Sequence, residues 1–159
     1  MIRRFEVGMT RRARVPAILL CLALLALAGC RSKPLLTPAP VVSALGVEAN
    51  RVAIIRGMAL HRWALIEEEP GLIVAQQDKG GRHIAIVAIG YDDRMIEIRY
   101  RSSHGLRCQP QGESCSSIHR AYNRWVAQLR NDIEYGVQTV RIEGLRDRTA
   151  VGAEPPGAE

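Results

Sequence analysis

His83-Ile84-Ala85-Ile86-Val87-Ala88-Ile89-Gly90-Tyr91, then Asp92-Asp93, then Met95-Ile96-Glu97-Ile98-Arg99-Tyr100-Arg101-Ser102 is the stretch that decides the fold class. Its second half alternates Ile96, Ile98 and Tyr100 with Glu97, Arg99 and Arg101, the period of a half-buried strand. The acidic pair between the halves is a turn signal, so the two strands form an antiparallel pair. Working toward the N-terminus, Leu72 to Gln77 is a further strand, bounded by Pro70-Gly71 and by Lys79-Gly80-Gly81. Trp63-Ala64-Leu65-Ile66-Glu67 is the one before it. All these links are short, which implies a meander.

The period changes on either side of the meander. Ala49 to Leu60 repeats at helical spacing, with Val52, Ile55 and Ala59 on one stripe, Ile54 and Met58 widening it, and Gly57 weakening it. After a loop from His104 to Ser116, a second helix is expected to start at Ser116 or Ser117, either of which can cap it. Its apolar face is Ile118, Tyr122, Trp125, Val126, Leu129 and Ile133, and Gly136 is placed to stop it. The expected fold is α+β: an antiparallel β-meander of three to four strands, with an N-terminal and a C-terminal helix packed on one face.

The chain has 159 residues and a formal net charge of +6. That basicity sits mostly in residues 1–29, where five Arg stand against one Glu. From Cys30 onward 17 Lys and Arg face 15 Asp and Glu, a net of +2. A nucleic-acid partner is therefore not expected.

Arg3, Arg4, Arg11, Arg12 and Arg14 precede an apolar run from Val15 to Ala28, which ends in Leu27-Ala28-Gly29-Cys30. A basic region, an apolar run and small residues at a cleavage point make a secretory signal. The run is shorter than the ~20 residues a spanning helix needs. Met9 starts a more compact signal than Met1 does, and translation is expected to begin there. The segment resembles the signal of bacterial lipoproteins, whose lipobox Leu27-Ala28-Gly29-Cys30 fits at every position. The resemblance implies cleavage before Cys30, diacylglycerol on its thiol and a further acyl chain such as palmitate on its amine. Several chains give lasting attachment where one is marginal. Arg31 stands where an Asp would favour the inner membrane, so the resemblance implies the outer membrane.

Four segments follow: a signal peptide (1–29), a lipidated Cys30 with a Pro-rich tether (30–46), an α+β domain (47–136), and a short strand or flexible tail (137–159). Pro34, Pro38 and Pro40 give the tether an extended character.

Cys108 and Cys115 fall in the exported part, where thiols usually oxidise, and a disulfide between them is the preferred reading. A metal site made by His104, Cys108, Cys115 and His119 is the alternative, against which the spacing matches no common zinc motif. Unpaired thiols are the third possibility. Apart from that alternative, no metal and no cofactor is expected. His83 has no visible partner that would make it a base or ligand. His61 sits at a helix C-terminus, where a cation suits the dipole. Glu67-Glu68-Glu69 reads as a solvated strand end, and no nucleophile elbow, zincin, dinucleotide or P-loop motif occurs. In the strand from His83, Ile84, Ile86 and Ala88 oppose Ala85, Val87 and Ile89, so both faces are apolar. Ile84, Ile86 and Ala88 are then a candidate partner face, unless covered by the chain itself or a second copy.

From about Val52 to Ile133 the sequence resembles a family of small uncharacterised proteobacterial lipoproteins. Trp63, Pro70-Gly71, the run from His83 to Tyr91, Ile98-Arg99-Tyr100, Ser103, Ile118-His119-Arg120 and Tyr122-Asn123-Arg124-Trp125-Val126 carry the resemblance. Members tend to have Gly before the tryptophan, where this chain has Arg62. The resemblance brings no catalytic or ligand residue. The expected function is a non-catalytic binding or scaffolding module of the cell envelope, with an envelope protein or a second copy as partner. A small-molecule or metal-binding periplasmic module and an accessory or inhibitor of an envelope hydrolase are the alternatives.

Overall fold

The computed structural model describes residues 32–151. Five antiparallel strands form one sheet in the order β2-β6-β5-β4-β3: β2 (Val41–Val42), β3 (Ala64–Glu69), β4 (Leu72–Asp78), β5 (Ile84–Tyr91) and β6 (Met95–His104). A second antiparallel sheet has the order β1-β8-β7, from β1 (Ser32–Pro34), β7 (Gln109–Gln111) and β8 (Ser114–His119). Helix α1 (Val47–Leu60) precedes the meander and α2 (Arg120–Val151) closes the chain. The class is α+β as expected, with two sheets in place of one short meander.

Alternation places Ile73, Ala75, Ala85, Val87, Ile89, Ile96 and Ile98 on the inner face, where each is buried in one core with Ala53, Ile54 and Met58 of α1. Helix α2 brings Tyr122, Val126, Leu129, Ile133 and Val137 to the same core, each without exposed surface. Their steps of three and four residues keep one helical face turned inward. Cys115 and Ile118 join from β8, so the small sheet shares this core.

Four expectations change. The segment 30–46 is not a free tether over its described part. Ser32, Lys33 and Pro34 pair with His119, Ile118 and Ser117, and Val41 is buried opposite Ile96. Asn123 holds the stretch between them, accepting from Leu36 N at 3.0 Å and donating to Pro34 O at 2.8 Å. Prolines are tolerated here because an edge strand needs few of its own N–H groups.

The second helix begins at Arg120, not at Ser116 or Ser117, because Ser114–His119 is committed to pairing with both β1 and β7.

Helix α2 also runs through Gly136, and residues 137–142 form neither a strand nor a tail. A Cβ on Gly136 would lie 2.5 Å from Ala53 O, and one on Gly57 would lie 2.7 Å from Ile133 N. The two glycines let the helix backbones touch where they cross, so they serve packing and not termination. Arg56 reaches past the crossing to Glu143 at 2.6 Å. Residues 152–159 lie outside the described part.

Finally, the buried face of α1 is Asn50, Ala53, Ile54, Gly57 and Met58, rotated from the expected Val52–Ile55–Ala59 stripe. Asn50 is buried because it is satisfied: Ser43 Oγ donates to its Oδ1 at 2.5 Å and its Nδ2 donates to Asp92 O at 2.8 Å. The helix ends with Trp63 N donating to Met58 O at 2.9 Å, across Arg62 at φ +58°. That is the left-handed geometry glycine favours, and Arg62 adopts it with a full side chain.

Candidate functional site

Residues that sequence reading left apart meet at one end of the helix pair. Alternation along β4 turns Ile73, Ala75 and Gln77 inward, and Gln77 is buried although polar. On α2, Trp125, Gln128 and Asp132 follow at steps of three and four, one line beside the apolar stripe. His61 and Trp63 arrive from the end of α1. Between these elements lies a half-open cleft of about 260 Å³ lined by His61, Trp63, Gln77, Lys79, Arg124, Trp125 and Gln128.

Its wall is a hydrogen-bonded network. Asp132 is 6% exposed, and both of its carboxylate oxygens are engaged. His61 Nδ1 contacts Oδ2 at 2.6 Å, and Gln128 Nε2 donates to Oδ1 at 3.1 Å. A carboxylate on Nδ1 fixes the ring's orientation and leaves Nε2 as its second polar group. The Gln77 amide, oriented to satisfy both neighbours, donates to His61 O at 3.0 Å and accepts from Lys79 Nζ at 2.7 Å. Among the described residues neither Lys79 nor Arg124 is ion-paired. Lys79 and Arg124 thus bring positive charge to the cleft beside the His61 ring. Trp63 is buried and Trp125 half-buried, which gives the cleft an apolar wall with polar edges.

Sequence reading missed this cleft because its three lining segments are 14 positions apart or more, and none forms a motif. Two signals were present: a Gln on the buried phase of an apolar strand, and an Asp bordering an apolar helical stripe. His61, assigned to the helix dipole, instead has a carboxylate partner.

The other candidates fall as follows. Cys108 and Cys115 form a disulfide with Cα atoms 5.4 Å apart. It links β8 to the residue before β7 and takes both sulfurs out of the four-ligand alternative with His104 and His119. His119 instead faces the His83 ring, with centroids 6.1 Å apart, and its Nδ1 accepts from Ala121 N at 3.2 Å. Among the described residues no group of three or more His, Cys, Asp or Glu side chains is placed to hold a metal ion. Ile84, Ile86 and Ala88 lie together on the outer face of β5, each half-buried. Cys30 and the lipobox lie outside the described residues. No described helix is long and apolar enough to cross a membrane.

Comparison with known proteins finds no matching family model, no similar curated protein and no similar solved structure.

Proposed function

We propose that this chain is a lipid-anchored module of the bacterial envelope that binds a small molecule in the cleft between α1, β4 and α2, without transforming it. The observation that carries the binding reading is the convergence of Lys79, Arg124, His61 and Gln128 beside Trp125 in a half-open cleft. A small apolar pocket with a few convergent polar groups is the usual form of a ligand site. Scaffolding through Ile84, Ile86 and Ala88 draws less support, since those side chains are already half-covered.

The anchoring reading rests on Leu27-Ala28-Gly29-Cys30 and on the resemblance to proteobacterial lipoproteins. The disulfide fits export to an oxidising compartment. Arg31 after the cysteine favours the outer membrane by the sorting pattern of that class. Because pairing begins at Ser32, only two residue steps, about 7 Å of chain, follow an acylated Cys30 before the fold starts. The domain would then work at the membrane surface and not at the end of a spacer.

Two measurements test the proposal. In the native host, Cys30→Ser is expected to abolish fatty-acid labelling and release the protein from the membrane fraction; a variant still acylated and sedimenting overturns the anchor. For the cleft, the small-molecule fraction of envelope extract is expected to raise the melting temperature of the purified protein and leave an Arg124→Glu variant unmoved. An equal shift in both, or none in either, overturns the cleft.

A second reading has one observation in its favour. His61 held by a buried carboxylate at 2.6 Å is the arrangement of an oriented acid–base histidine. Among the described residues no Ser, Thr or Cys lines the cleft, and in this reading the histidine activates water. Turnover of a bound compound, lost in His61→Gln, would favour this reading over simple binding.

A further inference from the structure

The composition of the cleft narrows the kind of molecule it takes. Resting on the reading of the cleft as a binding site, we propose that its ligand is a sugar acid: one hydroxylated ring carrying a single carboxylate.

Charge comes first. Lys79 and Arg124 bring two positive charges to the lining, and among the described residues no carboxylate lines it. Asp132 stands behind the wall with both oxygens taken by His61 and Gln128. A neutral ligand would leave the two cations as they are, whereas an anion gains from both. The Arg fork matches a carboxylate with two parallel N–H donors. Highly charged phosphates are usually held by arrays of backbone N–H groups at a helix N-terminus or glycine-rich loop, and the cleft is bordered by the C-terminal end of α1 and the flank of α2.

Size and polarity complete the description. About 260 Å³ is just below the range of sites for drug-sized ligands, so one ring with a short substituent fits. Trp125 supplies an apolar surface for a ring face. The amide groups around it are partly spent: Gln77 is satisfied by Lys79 and His61, while Gln128 gives Nε2 to Asp132 and keeps Oε1 as an acceptor. That acceptor and the second nitrogen of His61 suit hydroxyl groups, which a purely aromatic acid would not offer.

The chain has two tryptophans, and both line this cleft. Intrinsic fluorescence of the full protein in detergent therefore reports on the site directly. At constant ionic strength, glucuronate is expected to change the emission saturably. Glucose should bind at least about tenfold more weakly and inorganic phosphate should have no saturable effect, since one charge-assisted contact is worth roughly a factor of ten. Arg124→Gln should weaken glucuronate at least about tenfold. Arg124 is exposed, so the melting temperature of that variant should not move; Lys79→Gln, which also removes the donor to the buried Gln77 amide, is a second charge-removing variant read by affinity alone. Glucose matching glucuronate overturns the acid and leaves the cleft as a site for neutral rings. Phosphate matching glucuronate overturns the sugar. An absent response to glucuronate, or one indifferent to both variants, overturns the proposal, while the melting-temperature shift with envelope extract judges the cleft independently of ligand class.

Discussion

Arg101 Nη1 donates to Glu67 Oε2 at 2.6 Å although their strands, β6 and β3, are separated in the sheet by β5 and β4. Three inter-strand spacings are about 14 Å, so both side chains must extend along the outer face to meet. Val74, the register partner of Glu67, lies on that face and has no exposed surface. The ion pair and its methylene stems thus cover part of the apolar strip formed by β4 and β5. The strip that made both faces of β5 apolar in sequence is partly closed by the chain's own charges.

Removing the bridge should therefore affect surface properties more than stability. Both partners are close to half exposed, and exposed pairs contribute between about 0 and 1 kcal/mol. Arg101→Ala is expected to unfold within 1 kcal/mol or so of the wild type. It should bind more of an apolar-surface dye and self-associate at lower concentration. Equal dye binding in the two proteins would show that the pair shields nothing.

At the helix crossing, propensity and packing predict opposite signs. By propensity alone, Gly→Ala inside a helix stabilises by about 1 kcal/mol. A methyl at Gly57 or Gly136 would instead meet backbone atoms at 2.7 or 2.5 Å. Backbone cannot rotate away, so each alanine variant should lose about 1–3 kcal/mol, the cost of overpacking. Urea unfolding measures it, and a stabilised Gly136→Ala would place the helices farther apart than described.

Arg62 provides the converse case. A side chain at φ +58° costs roughly 1 kcal/mol relative to glycine. Its side chain is exposed and has no ion pair among the described residues. Arg62→Gly is expected to leave stability unchanged or raise it by up to about 1 kcal/mol, partly offset by the greater entropy of the unfolded chain. A loss above that amount would mean the guanidinium makes contacts of its own.

These cases separate what the sequence could reveal from what it could not. Alternation at Ile96, Ile98 and Tyr100 and the turns at Pro70-Gly71 and Asp92-Asp93 are local signals, and β3 to β6 follow from them. Pairing of Cys108 with Cys115 needed only nearness in sequence and the expectation of export. Gly136 shows the limit: a glycine that ends a helix and one that admits a neighbouring backbone look identical until the neighbour is placed. The same holds for Ser32–Pro34, whose strand character comes from β8 and not from its own residues. The cleft is the least legible part. His61 and Asp132 are 71 positions apart, and only the crossing of α1 and α2 makes them a pair.

Acid should destabilise the fold through two carboxylates held below their ordinary range. Asp92 accepts from the backbone N–H groups of Arg94 and Met95 at 2.7 and 2.8 Å, which favours its ionised form. Glu68 is lowered by its hydrogen bond from Arg51. A carboxylate lowered on folding stabilises above its unfolded pKa, near 4, and that contribution is lost as pH falls through the folded value. Tyr122 is raised by burial, so its contribution is complete below about pH 10 and is lost above it. Unfolding midpoints should fall below about pH 4 and again above about pH 10. Asp92→Ala should flatten the acid limb; an equally steep limb in that variant would assign the acid loss elsewhere.

The disulfide ties the small sheet to the large core, and its removal should be felt at the start of α2. Cys115 is buried within β8, and β8 passes directly from His119 into Arg120, the first residue of the helix. Closing a loop across a separation of 7 residues restricts the unfolded chain by about 2.5 kcal/mol in the entropic account. Reductant is therefore expected to lower unfolding stability by about 2 kcal/mol. The corresponding drop in melting temperature is roughly 5–10 °C for a domain of this size. A Cys108→Ser, Cys115→Ser double variant should start at the lower value and be indifferent to reductant. Tyr122, the third residue of the same helix, packs edge-on against Tyr100, with ring centroids 5.6 Å apart. Near-ultraviolet circular dichroism from the tyrosines should therefore weaken on reduction if β8 loosens, while backbone signals from β3 to β6 persist. Full retention of the tyrosine signal would show that β8 is held by its pairing with β1 and by Ile118 in the core, independently of the cross-link.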